Sequence, residues 1–364
     1  MLAVLTGGGT AGHINPALAL AETLVDRGVD VRFAGTPNGR EADLVPAAGI
    51  PFTPFEASGF NRNHPTSIVK AVHLLKKGTT AAGKWFDEIH PDVVVGFGGY
   101  VSLAIGRAAE KRGIPVVIHE QNSVMGLANK DLARGAHTVC LTYAHAASAV
   151  KDQSKIVVTG NPVRRSVFDA TREEGREAFG VPDDAVMLLI TGGSLGARHL
   201  NEAVCALKGE LLSRENLYIV HVTGPKEIDT VTQALALTEQ EAQRWKLFGY
   251  TNQMGAAMAA ADAIVSRAGA SSLAEISARA LPALLVPFPY ATEDHQTTNA
   301  RAAVDAGCAR MIADSEVEGA EFARLLFELV DDADVRAAMS EAARAQKTAN
   351  AADMLADIVI AAAR

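Results

Sequence analysis

Short apolar runs alternating with segments of helical spacing set the rhythm of this chain. Residues 2–5 are an unbroken apolar run, the pattern of a parallel strand buried on both faces. Residues 16–27 follow with Leu18, Ala21, Glu22 and Val25 at i, i+3, i+4, i+7 spacing, which predicts a helix, and residues 29–34 predict the next strand. Further strands are predicted at 92–95 and 115–118. The pattern restarts at 186–190 and continues with strands at 217–222, 246–248, 263–265 and 284–287. An alanine-rich helical region, residues 341–363, closes the chain. Apolar strands alternating with helices predict an α/β protein with parallel sheets.

What the strands run into is a second regularity. Thr6-Gly7-Gly8-Gly9-Thr10-Ala11-Gly12-His13 follows the first strand, and Thr191-Gly192-Gly193-Ser194-Leu195-Gly196-Ala197-Arg198 follows the strand at 186–190. Gly98-Gly99-Tyr100-Val101-Ser102 is a third glycine turn leading into a helix. Strand, glycine turn, helix is a unit that cradles phosphate, because glycine admits close backbone approach and the helix start offers N–H groups. Two such units half a chain apart predict two similar α/β domains facing one another. Gly160-Asn161-Pro162-Val163-Arg164-Arg165 and the charge-rich stretch through Gly180 read as the hinge between them. Gly7-x-Gly9-x-x-Gly12 also matches the dinucleotide fingerprint by letter. That reading wants an acidic residue after the second strand, where Phe33-Ala34-Gly35-Thr36 stands instead, so no nicotinamide cofactor is expected.

Composition narrows the class. At 364 residues, 48% hydrophobic and 21% charged, the chain has material for two cores and is not a disordered protein. A formal net charge of -8 argues against a general nucleic-acid binder. Cys140, Cys205 and Cys308 show no CxxC spacing, which points to a reducing compartment and away from zinc or a disulfide framework. No basic leader precedes the first apolar run, and the uncharged run at 93–106 is too short and glycine-rich to span a bilayer. A soluble or peripheral protein is expected. One stretch departs from the acidic average: residues 57–86 contain Arg62, Lys70, Lys76, Lys77 and Lys84 and no acidic residue. Ile68, Val72 and Leu75 share a helical face there, with Leu74 beside them and Trp85-Phe86 downstream. The stretch reads either as a docking face for anionic lipid or as a helix burying its apolar stripe with lysines in water.

Candidate chemistry gathers at the strand ends. His13, at the start of the first helix, reads either as a residue closing that helix or as a general base, since a neutral imidazole is favoured near a positive helix end. His119-Glu120-Gln121-Asn122 directly follows a buried strand and is expected to project where a ligand would sit. Glu275 reads as the far half of a Ser272-x-x-Glu275 capping box or as the acceptor of a ribose diol. No metal-ligand cluster is apparent, so a leaving diphosphate would be met by helix dipoles and backbone N–H groups. A two-domain clamp of this kind suits sugar transfer from a nucleotide sugar.

Seven motifs in order resemble one family. They are Gly8-Gly9-Thr10-x-Gly12-His13-x-x-Pro16, Gly98 to Ser102, His119 to Asn122, Gly160 to Arg164, Gly192-Gly193-Ser194-x-Gly196-Ala197-Arg198, Ser266-Arg267-x-Gly269 with Glu275, and Pro287-Phe288 with Gln296-x-x-Asn299-Ala300. The sequence resembles the MurG family of peptidoglycan N-acetylglucosaminyltransferases. The resemblance implies a GT-B fold of two Rossmann-like domains with parallel sheets facing across a cleft. It implies an acceptor domain at 1–163, rejoined by a C-terminal helix at 345–364, and a UDP-GlcNAc domain at 164–344. It further implies an inverting, metal-independent transfer of GlcNAc from UDP-GlcNAc to the 4-hydroxyl of the muramyl sugar of lipid I, with no cofactor. By carry-over, His13 is the candidate base and Asn122 lies by the donor sugar and incoming hydroxyl. Gly9, Gly99 and Tyr100 belong to acceptor loops, and Thr10, Gly12, Arg164 and Ser194 to the donor set. Thr251 meets uracil, Glu275 the ribose and Gln296 the GlcNAc hydroxyls. His295 stands where the family often has glutamine, which leaves its contact with the sugar open. The resemblance also implies peripheral attachment to the cytoplasmic face of the cell membrane through residues 62–86, and contact with other cell-wall or division proteins.

Two rivals share part of this pattern. A UDP-GlcNAc 2-epimerase would have two glycine-looped domains, acid and base groups around C2, and no lipid acceptor. A non-catalytic nucleotide-sugar-binding scaffold would bind UDP-GlcNAc without turnover.

Overall fold

The computed structural model describes residues 1–57, 65–193, 196–345 and 351–363, with only the backbone of 65–70 and of Thr292. The chain divides into two compact units, residues 1–164 with 348–364, and residues 165–347.

The first unit runs β1 (Leu2–Thr6), α1 (Ala11–Asp26), β2 (Asp30–Gly35), α2 (Glu41–Ala47), β3 (Phe52–Pro54), α3 (Pro65–Ile89), β4 (Val93–Gly96), α4 (Tyr100–Glu110), β5 (Val116–Glu120), α5 (Leu127–Leu132), β6 (Thr138–Leu141) and β7 (Ile156–Val158). The strands form one parallel sheet in the order β3-β2-β1-β4-β5-β6-β7. Successive residues of a strand face opposite ways. Ala3 and Leu5 therefore pack against Ile14 and Leu18 of α1, while Val4 packs with Val101 and Ile105 of α4. Both faces are covered, which is why β1 reads as an unbroken apolar run. The chain leaves β1 toward β2 in one direction and returns to β4 on its other side. The loops after β1 and β4 thus meet at a switch point, where parallel sheets open a crevice.

Helix α1 begins at Ala11 rather than at Pro16 as the spacing predicts. Thr10 is extended, and its carbonyl accepts from the N–H groups of His13 (3.1 Å) and Ile14 (3.3 Å), so the glycine turn passes straight into the helix. Pro16 is the sixth residue of the helix, where the missing N–H forgoes one i→i−4 bond.

The second unit runs α6 (Arg165–Asp169), α7 (Arg172–Phe179), β8 (Val186–Thr191), α8 (Arg198–Ala206), α9 (Lys208–Leu212), β9 (Leu217–Val222), α10 (Ile228–Leu235), α11 (Glu239–Arg244), β10 (Trp245–Phe248), α12 (Met254–Ala260), β11 (Ala263–Ser266), α13 (Ala270–Ala278), β12 (Ala283–Leu285), α14 (His295–Asp305), β13 (Ala309–Met311), α15 (Ala320–Asp331) and α16 (Ala333–Ala345). Its parallel sheet has the order β10-β9-β8-β11-β12-β13, so the switch point lies between β8 and β11. The terminal region is two helices, α16 and α17 (Ala351–Ala362), where the composition predicts one; residues 346–350 lie outside the described residues. Leu355, Ala356 and Val359 of α17 join the core of the first unit beside Leu18, and Arg27 ion-pairs with Asp353 (2.5 Å) and Asp357 (2.6 Å).

In α3 the buried side is made of Ala71, Gly78, Thr79, Ala82 and Phe86, small residues for the most part, which let α4 come close at Ala104. Val72 is 46% exposed, and Leu74 and Leu75 are only half-buried. The stripe of Val72 and Leu75 is thus not the one this helix buries. The side chains of Ile68 and Lys70, and all of Arg62, lie outside the described residues. No described helix is long and apolar enough to cross a membrane.

Candidate functional site

In the first unit, the turn after β1 puts His13 on the first turn of α1, half-buried. Its Nδ1 lies 2.8 Å from the carbonyl oxygen of Gly8, with Thr10 Oγ1 at 3.5 Å from the same nitrogen. A carbonyl only accepts, so Nδ1 carries a proton, and in the neutral ring the lone pair is therefore on Nε2. Nε2 lies against the bare Cα of Gly98, where an added Cβ would stand 3.0 Å away. An added Cβ on Gly99, whose φ is +85°, would meet the Gly8 carbonyl at 2.8 Å. The two loops therefore pack backbone to backbone, with the imidazole seated at their junction. Ser102 Oγ holds them there, 2.9 Å from the Thr6 carbonyl and 2.7 Å from that of Gly98. Gly9, Thr10 and Tyr100 are exposed at the same end of the sheet, and Gly12 and Gly99 are half-buried.

The loop after β5 corrects an expectation. Of the four polar residues there, His119, Glu120 and Gln121 are buried and only Asn122 is half-exposed. Glu120 accepts from the backbone of Asn122 (3.1 Å) and Gly126 (3.0 Å) and from Asn129 Nδ2 (2.9 Å), so it builds the loop that presents Asn122. His119 Nε2 donates to the Gly160 carbonyl at 2.9 Å, and its Nδ1 accepts from Gln121. Burial pushes its pKa down to about 4 even though the Gly160 contact works the other way, so the ring is neutral. Arg164 does not join the His13 cluster; its Nε donates to Glu22 of α1 at 3.0 Å. That is nine residues beyond His13, about 14 Å along the helix.

Glu41 gives no signal in the sequence, since Glu-Ala-Asp-Leu at a helix start reads as solvated surface. The residue is fully buried, and its carboxylate reaches the first glycine turn.

In the second unit, Gly193 N–H donates to Thr191 Oγ1 (3.1 Å), and Gly196, with φ +78°, packs its Cα against the Thr223 carbonyl. A side chain at 196 would overlap that carbonyl. Helix α8 starts directly after the turn, and its N-cap residue, Ala197, has no side chain able to cap it; helix starts of this kind offer N–H groups to anions. Ser194 lies outside the described residues. Thr251, after β10, is half-buried and its Oγ1 accepts from Gln253 N–H at 3.0 Å. The capping-box reading of Glu275 fails. Helix α13 is capped at Gly269, which places Ser272 third within the helix and Glu275 in its second turn, half-buried. Gln296 Oε1 accepts from the N–H groups of Ala268 (3.1 Å) and Phe288 (3.0 Å), tying together the loops after β11 and β12 and leaving Nε2 as the donating end. His295 opens α14 just after Glu293 and Asp294, both at φ +52°. Two consecutive non-glycine residues in the left-handed region store strain at this edge of the site.

Behind these loops Arg267 pairs with Asp314 (2.5 Å) and donates to the carbonyls of Val286 (3.1 Å) and Pro287 (3.2 Å). His199 holds the other Asp314 oxygen at 2.9 Å. Burial works against the Asp314 charge, but His199 and Arg267 together keep its carboxyl below the usual range, and Asp314 in turn raises His199. Among the described residues no three His, Cys, Asp or Glu side chains stand together as metal ligands would.

Residues 3–141 match the glycosyltransferase family 28 N-terminal domain and residues 187–355 its C-terminal domain. A UDP-N-acetylglucosamine–N-acetylmuramyl-(pentapeptide) pyrophosphoryl-undecaprenol N-acetylglucosamine transferase of Leuconostoc mesenteroides is 40% identical over 362 residues, 99% of each chain. The crystal structure of Acinetobacter baumannii MurG superposes with a TM-score of 0.75 at 30% identity, covering 99% of each chain. A putative UDP-N-acetylglucosamine 2-epimerase from Listeria monocytogenes gives 0.69 at 15% identity, covering 98% of this chain and 94% of its own. That likeness carries the fold alone. Fold and glycine turns together define a glycosyltransferase of the GT-B class. The chain belongs to glycosyltransferase family 28, in its MurG branch.

Proposed function

We propose that this protein transfers N-acetylglucosamine from UDP-N-acetylglucosamine to lipid I, giving lipid II and UDP. Full-length kinship with named transferases supports the substrates, and the His13 geometry supports the chemistry. The 4-hydroxyl of the muramyl sugar attacks the anomeric carbon in line, and its proton passes to His13 Nε2 as the new C–O bond forms. The bond to UDP breaks on the opposite face, inverting the centre to a β-1,4 linkage. The charge left on the diphosphate is met by the glycine turn 192–197, including Ser194, and by the start of α8. Glu275 accepts from the ribose diol, Thr251 offers backbone to uracil, and Arg164 lies near the nucleotide. Gln296 donates through Nε2 to the sugar, with His295 beside it, while Thr10, Gly12 and Asn122 bound the donor sugar. Gly9, Gly99 and Tyr100 line the acceptor.

The same reading puts the protein at the cytoplasmic face of the cell membrane, docked on anionic lipid through residues 62–86. The exposed Val72, Lys76 and Lys84 on α3 support it. The test is transfer of labelled GlcNAc from UDP-GlcNAc to a short-prenyl lipid I analogue with EDTA present. Labelled disaccharide product is expected; UDP-GlcNAc binding without product would overturn the reading.

A further inference from the structure

Glu41 begins α2, yet its side chain is fully buried and bridges two loops of the first unit. One oxygen, Oε1, accepts from the Thr36 N–H (2.9 Å) and Thr36 Oγ1 (2.6 Å), after β2. The other, Oε2, accepts from the Gly9 N–H (3.3 Å), at the tip of the turn after β1. Gly8, Gly35 and Gly39 are all packed so tightly on this side chain that a Cβ at any of them would collide with it. Burying a carboxylate is costly unless its lone pairs are met. An apolar side chain would fill the space at lower cost if filling were its whole purpose. What a carboxylate adds is an acceptor for the turn's own N–H, and that turn fixes where the Gly8 carbonyl points.

We infer that Glu41 is a positioning residue for the transfer reaction, acting through the first glycine turn on His13. The linkage runs in three contacts. Glu41 holds Gly9 N–H and sits beneath Gly8, the Gly8 carbonyl accepts from His13 Nδ1, and that contact leaves the Nε2 lone pair for the acceptor hydroxyl. The inference rests on the proposed role of His13 as the base.

Its test is a double-mutant cycle of Glu41→Gln and His13→Ala, with kcat, KM for UDP-GlcNAc and Tm measured for each variant. Glutamine keeps the volume and an acceptor for Thr36 but can set an N–H against that of Gly9. Glu41→Gln is expected to lower kcat by about ten- to a hundredfold, the scale of a misplaced catalytic group. KM for UDP-GlcNAc should stay within about twofold, because the proposed donor contacts belong chiefly to the other unit. In the His13→Ala background the same change should cost nothing further. A wild-type kcat for Glu41→Gln, or an equal loss with and without His13, would overturn the inference. Should Glu41→Gln not fold, Glu41→Asp, which withdraws the carboxylate by one methylene, must give the same pattern. Failure of the underlying reading looks different: His13→Ala would itself leave kcat untouched.

Discussion

The Nδ1 of His13 stands 2.8 Å from the carbonyl oxygen of Gly8, and this contact decides which ring nitrogen carries the proton. With Nδ1–H committed to a carbonyl, Nε2 is the only nitrogen able to take a proton from an incoming hydroxyl. Replacing His13 by alanine should lower kcat by about 10²- to 10⁴-fold, the usual range for a lost general base. UDP-GlcNAc affinity, measured by titration calorimetry, should hardly change. An unaltered kcat would remove His13 from the chemistry.

Glu275 stands in the second turn of α13, whose cap is Gly269. Since no capping box needs it, Glu275→Ala should act on donor binding rather than on the start of α13. Its effect should be a raised KM for UDP-GlcNAc. A fall in Tm with KM unmoved would count against the ribose contact.

The sheets are largely legible in the sequence because their central strands are covered on both faces. Residues 2–5, 186–190 and 263–265 are apolar at every position, as a strand packed by helices on either side requires and a half-solvated one does not. Strands β3, β6 and β13 leave no such trace. They are three or four residues long and lie toward the sheet margins, where Thr53, Thr138 and Arg310 break the apolar pattern. The start of α1 is hidden by Pro16, a residue usually read as a helix start and here placed within the helix.

The candidate site is legible to the extent that its groups sit in glycine turns at strand ends. Gly8, Gly98 and Gly99 announce close backbone approach, and the approach is to His13 and to each other. Burial is what a pattern of letters hides. His119 and Glu120 read as groups offered to a ligand, yet each is spent on the loop around Asn122. Glu41 reads as a solvated helix start because the donors it meets, Thr36 and Gly9, lie on other segments. Asp314, 115 residues from its partner His199, leaves no local signal at all.

Gln296 allows binding to be separated from loop architecture. Its Oε1 serves the N–H groups of Ala268 and Phe288, while Nε2 is proposed to donate to the sugar. Gln296→Glu keeps the acceptor and removes the donor, so Tm should hold while KM for UDP-GlcNAc rises. Gln296→Ala also strips both backbone N–H groups of their partner and should cost a further ~0.5–1.5 kcal/mol of stability in urea unfolding, the scale of an ordinary hydrogen bond, since the Phe288 N–H is open to water. Equal stability of the two variants would show that the loops do not depend on Oε1.

Acid should destabilise the fold through its buried histidines. Burial holds His119 at about 4 and His221 at about 3, against an unfolded value of 6.5. As pH falls below 6.5 the unfolded chain binds protons that the folded one refuses, so stability declines from there down to about 4 for His119 and about 3 for His221. His199 has the opposite sign. Asp314 raises its pKa, so its contribution is complete below 6.5 and lost as pH rises through the raised value. Urea unfolding of wild type and His199→Gln from about pH 5 to 8 checks this. The gap between them should be largest at the acid end and should close toward the alkaline end; a gap that widens with pH would refute the assignment.

Helix α3 carries the membrane prediction. Its buried side is small and contains Ala71, Gly78 and Ala82, while Val72 is 46% exposed with Lys76 exposed one turn on. An exposed apolar residue with a lysine one turn on, in a chain of net charge -8, is an arrangement that favours an anionic surface over a neutral one. Co-sedimentation with phosphatidylglycerol vesicles should therefore exceed that with phosphatidylcholine and weaken with salt, as charge screening requires. Val72→Glu combined with Lys76→Glu should lower binding to the anionic vesicles at least several-fold. The same variant should keep its rate on a short-prenyl acceptor free in solution, because neither side chain belongs to the His13 cluster. Unchanged vesicle binding would place the docking face elsewhere on the protein.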